Sequence, residues 1–263
     1  MPELRPLIAR LKRIYGDPAL PPARGPLELV LWENACYLLP DSRRAAVFEG
    51  LRQLTGLDPH RILSADREKL LALAKMGGMR PETRVFRWLE ISRIVIEQFG
   101  GDLDYVLREP YTQAKKALKQ FPNIGDPGAE KILLYCGVGE GLPLDWNGSR
   151  VLLRVGFGRP QPRNYGAQYR SIQDDIAGQL PRTASALASA HLLFRQHGKT
   201  ICREKGPACG ECPVIELCAY GAGLGAGRNP APLQAGSVVE RSPQNQKGAP
   251  RPRGAPFKKL MCR

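Results

Sequence analysis

Residues 202–218 read Cys202-Arg-Glu-Lys-Gly-Pro-Ala-Cys209-Gly-Glu-Cys212-Pro-Val-Ile-Glu-Leu-Cys218. Successive cysteines in this stretch are separated by six, two and five residues. Four thiolates at such short separations can bind one iron–sulfur cluster or one zinc ion. Three further cysteines are scattered along the chain, and the odd total argues against a disulfide framework and favours a reducing compartment. The stretch therefore predicts a metal-binding loop.

The charge of the 263-residue chain is strongly basic, with a net value of +14 and a pI near 9.7. Such an excess favours a polyanionic partner. Half of it lies in residues 221–263, which contain eight Lys or Arg and one Glu. This segment is rich in Gly, Pro and Ala and has little apolar surface to bury, so we expect a basic disordered tail. Its charge adds non-specific attraction to a polyanion or has no specific role.

The hydrophobic pattern is helical along most of the chain and predicts an all-α fold without strands. The clearest segment is 81–99, which Pro81 opens and Gly100 closes. Its apolar face includes Phe86, whereas Arg84 is expected largely outside that face. Other helices are predicted at 4–14, 26–38, 43–54, 66–75, 111–119, 127–136, 149–156, 165–179 and 182–197. No apolar run approaches ~18 residues, so no membrane span is predicted.

Residues 121–129 read Phe-Pro-Asn-Ile-Gly-Asp-Pro-Gly-Ala and resemble the helix–hairpin–helix motif of endonuclease III-type DNA glycosylases, a base-excision repair superfamily. The turn of such a hairpin needs a residue with positive φ, and Asn123 tolerates that conformation. Gly125 allows close approach to a phosphate, and the start of the next helix, around Gly128, offers free N–H groups to it. The resemblance therefore assigns Asn123, Gly125 and Gly128 to DNA binding.

Two hairpin residues depart from the pattern of this superfamily. Asp126 is expected to cap the following helix but to repel phosphate. Pro127 stands where bifunctional members carry the lysine that forms a Schiff base with the sugar, which proline cannot do. The resemblance to monofunctional members, such as the adenine glycosylase, then implies water as the nucleophile. Lys131, four residues later on the same helical face, is a candidate for a displaced catalytic lysine or is an ordinary helix lysine.

Asp145 is followed by Arg150 and Arg154 at the separations found in adenine glycosylases. That resemblance implies that Asp145 stabilises positive charge on the deoxyribose as the base departs and orients water, as carboxylates do in glycoside hydrolysis. The alternative is a helix cap near Ser149. Glu33 falls where the resemblance places a catalytic glutamate, which would protonate the departing base. Its alternative is a solvated residue on the rim of an amphipathic helix.

Further DNA contacts are predicted from the same resemblance. The turn 77–80 precedes the long helix where related proteins carry a wedge residue, which fills the gap left by a flipped base. In the cysteine loop, members of the superfamily present basic side chains to the DNA backbone. The candidates are Met79, Arg80, Leu38, Arg203 and Lys205. For Leu38, core packing is the alternative.

The resemblance covers about residues 1–220 and implies a two-lobed fold. One lobe, 22–136, would be a helical barrel ending in the hairpin, and the other would combine 1–21 with 137–220 and hold a [4Fe–4S] cluster on the four cysteines. The implied reaction is hydrolysis of the N-glycosidic bond of a damaged or mispaired base in double-stranded DNA. The implied enzyme is a cytoplasmic monomer, nucleoid-associated in a prokaryote. The alternatives are a bifunctional glycosylase/lyase with a displaced lysine and a non-catalytic DNA-binding module.

Overall fold

The computed structural model describes residues 2–37, 39–161 and 163–225. Throughout these ranges the regular structure is helical and no strand occurs, which confirms the all-α prediction. The α-helices are α1 (Leu4–Tyr15), α2 (Gly25–Glu33), α3 (Asp41–Thr55), α4 (Pro59–Ser64), α5 (Arg67–Met76), α6 (Pro81–Phe99), α7 (Tyr111–Leu118), α8 (Asp126–Tyr135), α9 (Trp146–Val155), α10 (Tyr165–Ile176), α11 (Ala184–Thr200) and α12 (Ala219–Gly225). Short 3₁₀ helices lie at Asp104–Arg108, Ala177–Gln179, Cys209–Glu211 and Ile215–Leu217.

The long helix α6 has the predicted ends but not the predicted faces. Pro81 is in its first turn, and Gly100 ends it with a left-handed φ of 63°. Arg84, however, is buried, because its guanidinium donates to the carbonyl oxygens of Ala74 and Gly77, each at 2.7 Å. Phe86 is 62% exposed. The two expectations for Arg84 and Phe86 are therefore wrong. Hydrogen bonds to carbonyl groups that precede α6 hold the arginine in the interior.

Helices α4, α9 and α12 differ from the sequence pattern, and α2 ends at Glu33 instead of at residue 38. Helix α4 was not predicted, although Asp58 caps it by accepting the Arg61 N–H at 2.8 Å and Pro59 follows the cap. Six residues are too few to display a helical period. Helix α9 begins at Trp146, three residues before the predicted start, because Asp145 is its cap. Helix α12 occupies the first five residues of the predicted tail, and the remaining segment, 226–263, lies outside the described residues.

The buried apolar side chains form two clusters. The first runs from Leu29 to Leu133 and unites α2 to α8. The second joins α1 to α9, α10, α11 and the cysteine loop, and includes Leu134. Adjacent residues of α8 thus belong to different clusters, and the partly buried Tyr135 packs against both. The lobe limits given above remain a prediction. None of the described helices combines the length and apolarity required to cross a membrane.

Candidate active site

Asp145 is the N-cap residue of α9. Its Oδ1 accepts the backbone N–H of Gly148 at 2.8 Å, as capping side chains do. Its Oδ2 lies 3.2 Å from Nε of Arg195 on α11 and 3.4 Å from Nδ2 of Asn147. A quarter of the side chain, 25%, remains exposed. Capping therefore uses one oxygen, and the second oxygen faces Arg195 and Asn147 on a side chain that is partly exposed.

The surroundings of Asp145 keep its carboxylate ionised. Burial opposes the charge, but favourable neighbours outweigh it, so the pKa of Asp145 is lowered. These neighbours are His191, the Gly148 N–H, Arg195 and Lys131. Burial also lowers the pKa of His191 to about 4, so this ring is neutral at pH 7. The Gly148 N–H and the two cations are then the groups that hold Asp145 ionised near neutrality.

A cavity of about 300 Å³ is lined by Arg195, the residue that contacts Asp145. This volume is at the lower end of the range of about 300–1,000 Å³ that ligand pockets occupy. Its ionisable lining residues are Glu33, Asp41, Arg44, Lys131, Tyr135, His191 and Arg195. Asp145 does not line the cavity itself, but Arg195 both lines it and contacts Asp145. The cavity and the carboxylate are therefore neighbouring parts of one site.

His191 brings an unpaired acceptor to this site. Its Nδ1 is 2.7 Å from the carbonyl oxygen of Pro143, and because a carbonyl only accepts, Nδ1 must carry the proton. Nε2 of the neutral ring is then a lone-pair acceptor, and no N–H or O–H group within the described ranges donates to it. The side chain is 2% exposed. An unsatisfied buried acceptor costs about 1–3 kcal/mol, which an incoming donor would recover.

Glu33 is enclosed between two cations. Its Oε2 is 2.7 Å from Nζ of Lys131, and its Oε1 is 3.7 Å from Nη1 of Arg44. Burial would raise the pKa of Glu33, but Lys131 and Arg44 lower it overall. An ionised carboxylate has no proton to give, so the role of general acid predicted for Glu33 does not fit this arrangement. The alternative of a solvated rim residue does not fit it either, since only 16% of the side chain is exposed.

The hairpin has the predicted backbone but a different charge arrangement. Asn123 adopts a φ of 63°, the left-handed conformation expected for the turn. Gly125 is the N-cap of α8, and Asp126 lies inside the helix, so the prediction that Asp126 caps α8 is wrong. Its carboxylate instead contacts Lys119 at 2.9 Å and Lys115 at 3.2 Å, both from α7. These lysines offset the negative charge that was expected to repel phosphate.

The turn between α5 and α6 is built to project side chains outward. Met79 is 66% exposed, and Arg80 is exposed with a φ of 59°. The Gly77 carbonyl accepts the Tyr37 N–H at 3.3 Å, which places this turn against the segment that follows α2. A Cβ on Gly77 would meet the Ala35 carbonyl oxygen at 2.5 Å, so glycine is required for this approach. Leu38, the other wedge candidate, lies outside the described residues.

The four cysteines of the loop line a second, largely apolar cavity. Cys202, Cys209, Cys212 and Cys218 face it together with Val151, Val155 and Ile201, and none is in a disulfide. Within the described part of the chain, no three Cys, His, Asp or Glu side chains already stand in metal-binding geometry. Four free thiols around one cavity nevertheless form a suitable donor set for an iron–sulfur cluster. The chemistry of the donors therefore fits the implied cofactor.

Two arginines of α9 brace this loop. Arg150 donates to the carbonyl oxygens of Cys202 at 2.9 Å and Gly198 at 2.7 Å. Arg154 donates to the Arg203 carbonyl at 2.7 Å and stands 3.3 Å from the Cys202 sulfur. Their spacing from Asp145 was recognised in the sequence, but it did not reveal this bracing role. The candidate DNA contacts Arg203 and Lys205 are exposed on the same loop.

The fold brings some predicted residues together and adds others. Glu33 and Lys131 both line the cavity, whereas no residue of the hairpin, the Met79 turn or the cysteine loop is among its lining residues. His191 and Arg195 were not predicted as site residues. Neither carries a local signal, because each acts through contacts with residues about 50 or more positions away.

No known protein-family profile matches the chain. The chain is 25% identical over 181 residues to an endonuclease III of Sulfolobus acidocaldarius, covering 68% of this chain and 75% of the relative. It is 27% identical over 238 residues to a thymine-DNA glycosylase of Aeropyrum pernix, covering 82% and 93%. A thymine/uracil-DNA glycosylase of Pyrobaculum aerophilum is 27% identical over 164 residues, covering 62% and 66%.

Solved structures share the fold. A non-covalent endonuclease III–DNA complex superimposes with a TM-score of 0.68 at 17% identity, covering 85% of this chain and 97% of that one. The structure of a thermostable thymine-DNA glycosylase gives a TM-score of 0.63 at 16% identity, covering 83% and 96%. The common fold and the sequence similarity to named relatives agree with the hairpin and the cysteine spacing. The chain is thus similar in sequence to endonuclease III and thymine-DNA glycosylases, and it has the fold of the endonuclease III structures.

Proposed function

We propose that this DNA glycosylase hydrolyses the N-glycosidic bond of a damaged or mispaired base in double-stranded DNA and is monofunctional. The observation that carries the proposal is the state of Asp145, a carboxylate kept ionised and oriented beside a cavity. A negative charge fixed at this place stabilises positive charge that builds on the deoxyribose as the base leaves. Its fixed orientation means that no reorganisation is needed when the bond breaks.

Water is the proposed nucleophile. Pro127 has no amine, and its position is the one that carries the Schiff-base lysine in bifunctional relatives. The partly exposed carboxylate of Asp145 can accept a hydrogen bond from a water molecule and orient it toward the sugar. His191 Nε2 is a second acceptor at the site, suited to an N–H or O–H donor of the substrate complex. Neither step needs a protonated Glu33.

The lyase alternative would depend on Lys131. This residue lines the cavity, so its position is compatible with a displaced nucleophile. Its ammonium is nevertheless 2.7 Å from a carboxylate oxygen of Glu33 and is engaged in that ion pair. A protonated amine has no lone pair with which to attack a sugar. The arrangement therefore favours hydrolysis over Schiff-base chemistry.

The proposed cofactor is a [4Fe–4S] cluster held by Cys202, Cys209, Cys212 and Cys218. When bound, it would cross-link the loop and order its backbone. The exposed Arg203 and Lys205 of that loop, the hairpin residues Asn123, Gly125 and Gly128, and the turn at Met79 and Arg80 form the proposed DNA contacts. Backbone N–H groups at the start of α8 suit phosphate binding. A monomer in the cytoplasm, with access to chromosomal DNA, is consistent with this role.

Asp145→Asn tests the proposal. The amide keeps the size of the side chain and loses its charge, so we expect single-turnover base release to fall by about 10²-fold or more while DNA affinity changes little. The assay uses duplexes with a panel of damaged and mispaired bases, and thymine and uracil mispairs are included because two relatives are named for these bases. The released base is identified directly.

Borohydride distinguishes the alternatives in the same assay. A covalent adduct trapped on abasic DNA by the wild-type chain, and lost in Lys131→Met, would establish the lyase alternative in place of hydrolysis. Tight binding to damaged duplexes without release of any base across the panel would favour the non-catalytic module. An Asp145→Asn variant with the wild-type rate would exclude Asp145 from the chemistry.

A further inference from the structure

We propose that Arg195 is a positioning residue for Asp145, and that Asp41 holds Arg195 in this role from across the site. The inference rests on the proposed function, because it concerns the carboxylate to which catalysis is assigned. Asp41 begins α3, in the first cluster of helices, whereas Asp145 and Arg195 belong to α9 and α11 of the second. One guanidinium thus joins two carboxylates from different parts of the fold.

The geometry of the guanidinium carries this inference. Nη1 and Nη2 of Arg195 contact Oδ2 and Oδ1 of Asp41, each at 2.7 Å, in a bidentate pair. Such a pair fixes the plane of the guanidinium. Nε lies in the same plane, and it is 3.2 Å from Oδ2 of Asp145, which is an ion-pair contact. The direction of the contact with Asp145 is therefore set by Asp41.

The charges around Arg195 favour the ionised forms of Arg195 and Asp41. Asp41 also accepts from Lys199 at 3.0 Å. The hydrogen bond from Arg195 is the main reason that the pKa of Asp41 is well below its ordinary range. Burial opposes the charge of Arg195, yet Asp41 and Asp145 raise its pKa overall. Arg195 and Asp41 are therefore both charged near neutral pH.

A salt bridge between Asp41 and Arg195 that served only to stabilise the fold would not need the contact with Asp145. Asp41 alone satisfies the terminal nitrogens of Arg195, and Lys199 offers Asp41 a second cation. The contact with Asp145 adds a restraint on the second oxygen of a carboxylate whose first oxygen is already fixed by Gly148. With both oxygens held, the carboxylate cannot rotate about its last bond. Lysine could supply the charge of Arg195 but not its planar fork.

The Asp41–Arg195 pair also lies at the cavity that we propose for the substrate. Asp41 and Arg195 both line the cavity of about 300 Å³. Asp41 follows directly on the segment whose Tyr37 contacts the turn before α6. The groups that face Asp145 in addition to Arg195 are His191 on α11, Lys131 and Tyr135 on α8, and Tyr165 on α10. Of these, Lys131 is the other cation, and it is held by Glu33.

Three variants test the inference in the full-length chain: Arg195→Gln, Arg195→Lys and Asp41→Asn. We expect Arg195→Gln to slow single-turnover base release by about 10²-fold, because a small misplacement of a reacting group has that effect. DNA affinity should change little. Arg195→Lys should recover only part of the rate, and Asp41→Asn should shift it in the same direction as Arg195→Gln. The pKa of Asp145, measured by NMR of ¹³C-labelled carboxyl groups and assigned with Asp145→Asn, should rise in Arg195→Gln.

Arg52→Gln is the matched control, since Arg52 also joins two helices through a carboxylate, Glu28 at 3.0 Å, but is remote from Asp145. A wild-type rate and an unchanged Asp145 pKa in Arg195→Gln would overturn the inference. Loss of stability alone, with both values retained in the folded fraction, would also overturn it. If Arg195→Gln does not fold, Asp41→Asn provides the same readouts with Arg195 present. Full activity in Asp145→Asn would instead overturn the proposed function, while the NMR measurement would still report on the contact.

Discussion

Asp145 and Glu33 show that burial alone does not determine what a carboxylate can do. Both are largely enclosed and both have a lowered pKa. The two oxygens of Glu33 face two cations, Lys131 and Arg44, whereas Asp145 meets one cation, Arg195, at Oδ2 and a neutral N–H group at Oδ1. Glu33 is thus enclosed by two positive charges, and Asp145, with one, keeps more of its charge for a cation that forms on the substrate.

His191 predicts an acid-side loss of stability. Its folded pKa of about 4 is below the ordinary 6.5, so the unfolded chain binds an extra proton between these values and stability falls as the pH drops from about 6.5 to 4. At 1.36 kcal/mol per unit, the group accounts for about 3 kcal/mol at most. His191→Asn retains a polar side chain without titrating. Urea unfolding at pH 7 and pH 4.5 should show a smaller difference in this variant, and an equal difference would contradict the assignment.

At the level of single residues, the sequence predicts candidate site residues only where a recognisable motif surrounds them. Asp145 and the four cysteines could be predicted from spacing, and Asn123 from the backbone demand of a turn. Arg195 could not, because it meets Asp41 across 154 positions and no pattern links them. The protonation state of Glu33 also depends on partners from two other helices, so its predicted acid role was inferred without the charges that oppose it.

At the level of elements, α9 and α11 are packed closely enough to exclude a side chain. A Cβ on Gly198 would lie 2.7 Å from the Asn147 carbonyl oxygen and 2.8 Å from the Asn147 Cβ. Glycine at this point in α11 thus lets the helix approach the first turn of α9, beside Asp145. The same two helices supply Asp145 and Arg195, so their separation determines the distance between these groups.

Gly198→Ala should therefore disturb both stability and the site. Forcing α11 from α9 is expected to cost about 1–3 kcal/mol, as overpacking in a close-packed interior does. Base release should fall as well, because Arg195 and His191 move with α11. Gly178→Ala is the control, since a Cβ there meets nothing within 4 Å. Urea unfolding and single-turnover assays of both variants provide the comparison; equal stability of the two would argue against tight packing at Gly198.

Long helices were predictable at this scale, and short or capped ones were not. Helix α6 has nineteen residues and both terminal signals, so its limits follow from sequence. Helix α4 has only six residues, and its cap signals are no stronger than those of an ordinary turn. The sequence predicts that α9 begins near Ser149, whereas the helix begins at Trp146, directly after its cap Asp145.

For the whole molecule, the cysteine loop is the part that a cofactor would stabilise most directly. If the four thiols hold a [4Fe–4S] cluster, Cys212→Ala should lose iron and sulfide and lower the free energy of unfolding by about 2 kcal/mol or more. Cys136→Ala, outside the loop, should retain both. Iron and sulfide analysis together with thermal unfolding gives the test. Zinc in place of iron in the wild-type chain would favour the other metal that four thiolates can bind.

The general architecture was predictable from helical periodicity and from the resemblance of two motifs. The way the two clusters of buried side chains meet was not. That junction includes the ion pair of Asp41 with Arg195, whose members are 154 positions apart. Charged residues at such separations look like surface residues in a sequence, and only the folded chain shows that they share a boundary.

The bracing of the cysteine loop by Arg150 and Arg154 has a consequence for how this molecule fails. Both guanidinium groups are buried and take their acceptors from backbone carbonyls at the end of α11 and in the loop. Unfolding of the loop would leave two buried guanidinium groups without hydrogen-bond acceptors, and this cost would destabilise α9, the helix that begins after Asp145. Loss of the folded cysteine loop would therefore also disturb Asp145 at the other end of α9. A chain with an unfolded loop would then lack the proposed activity.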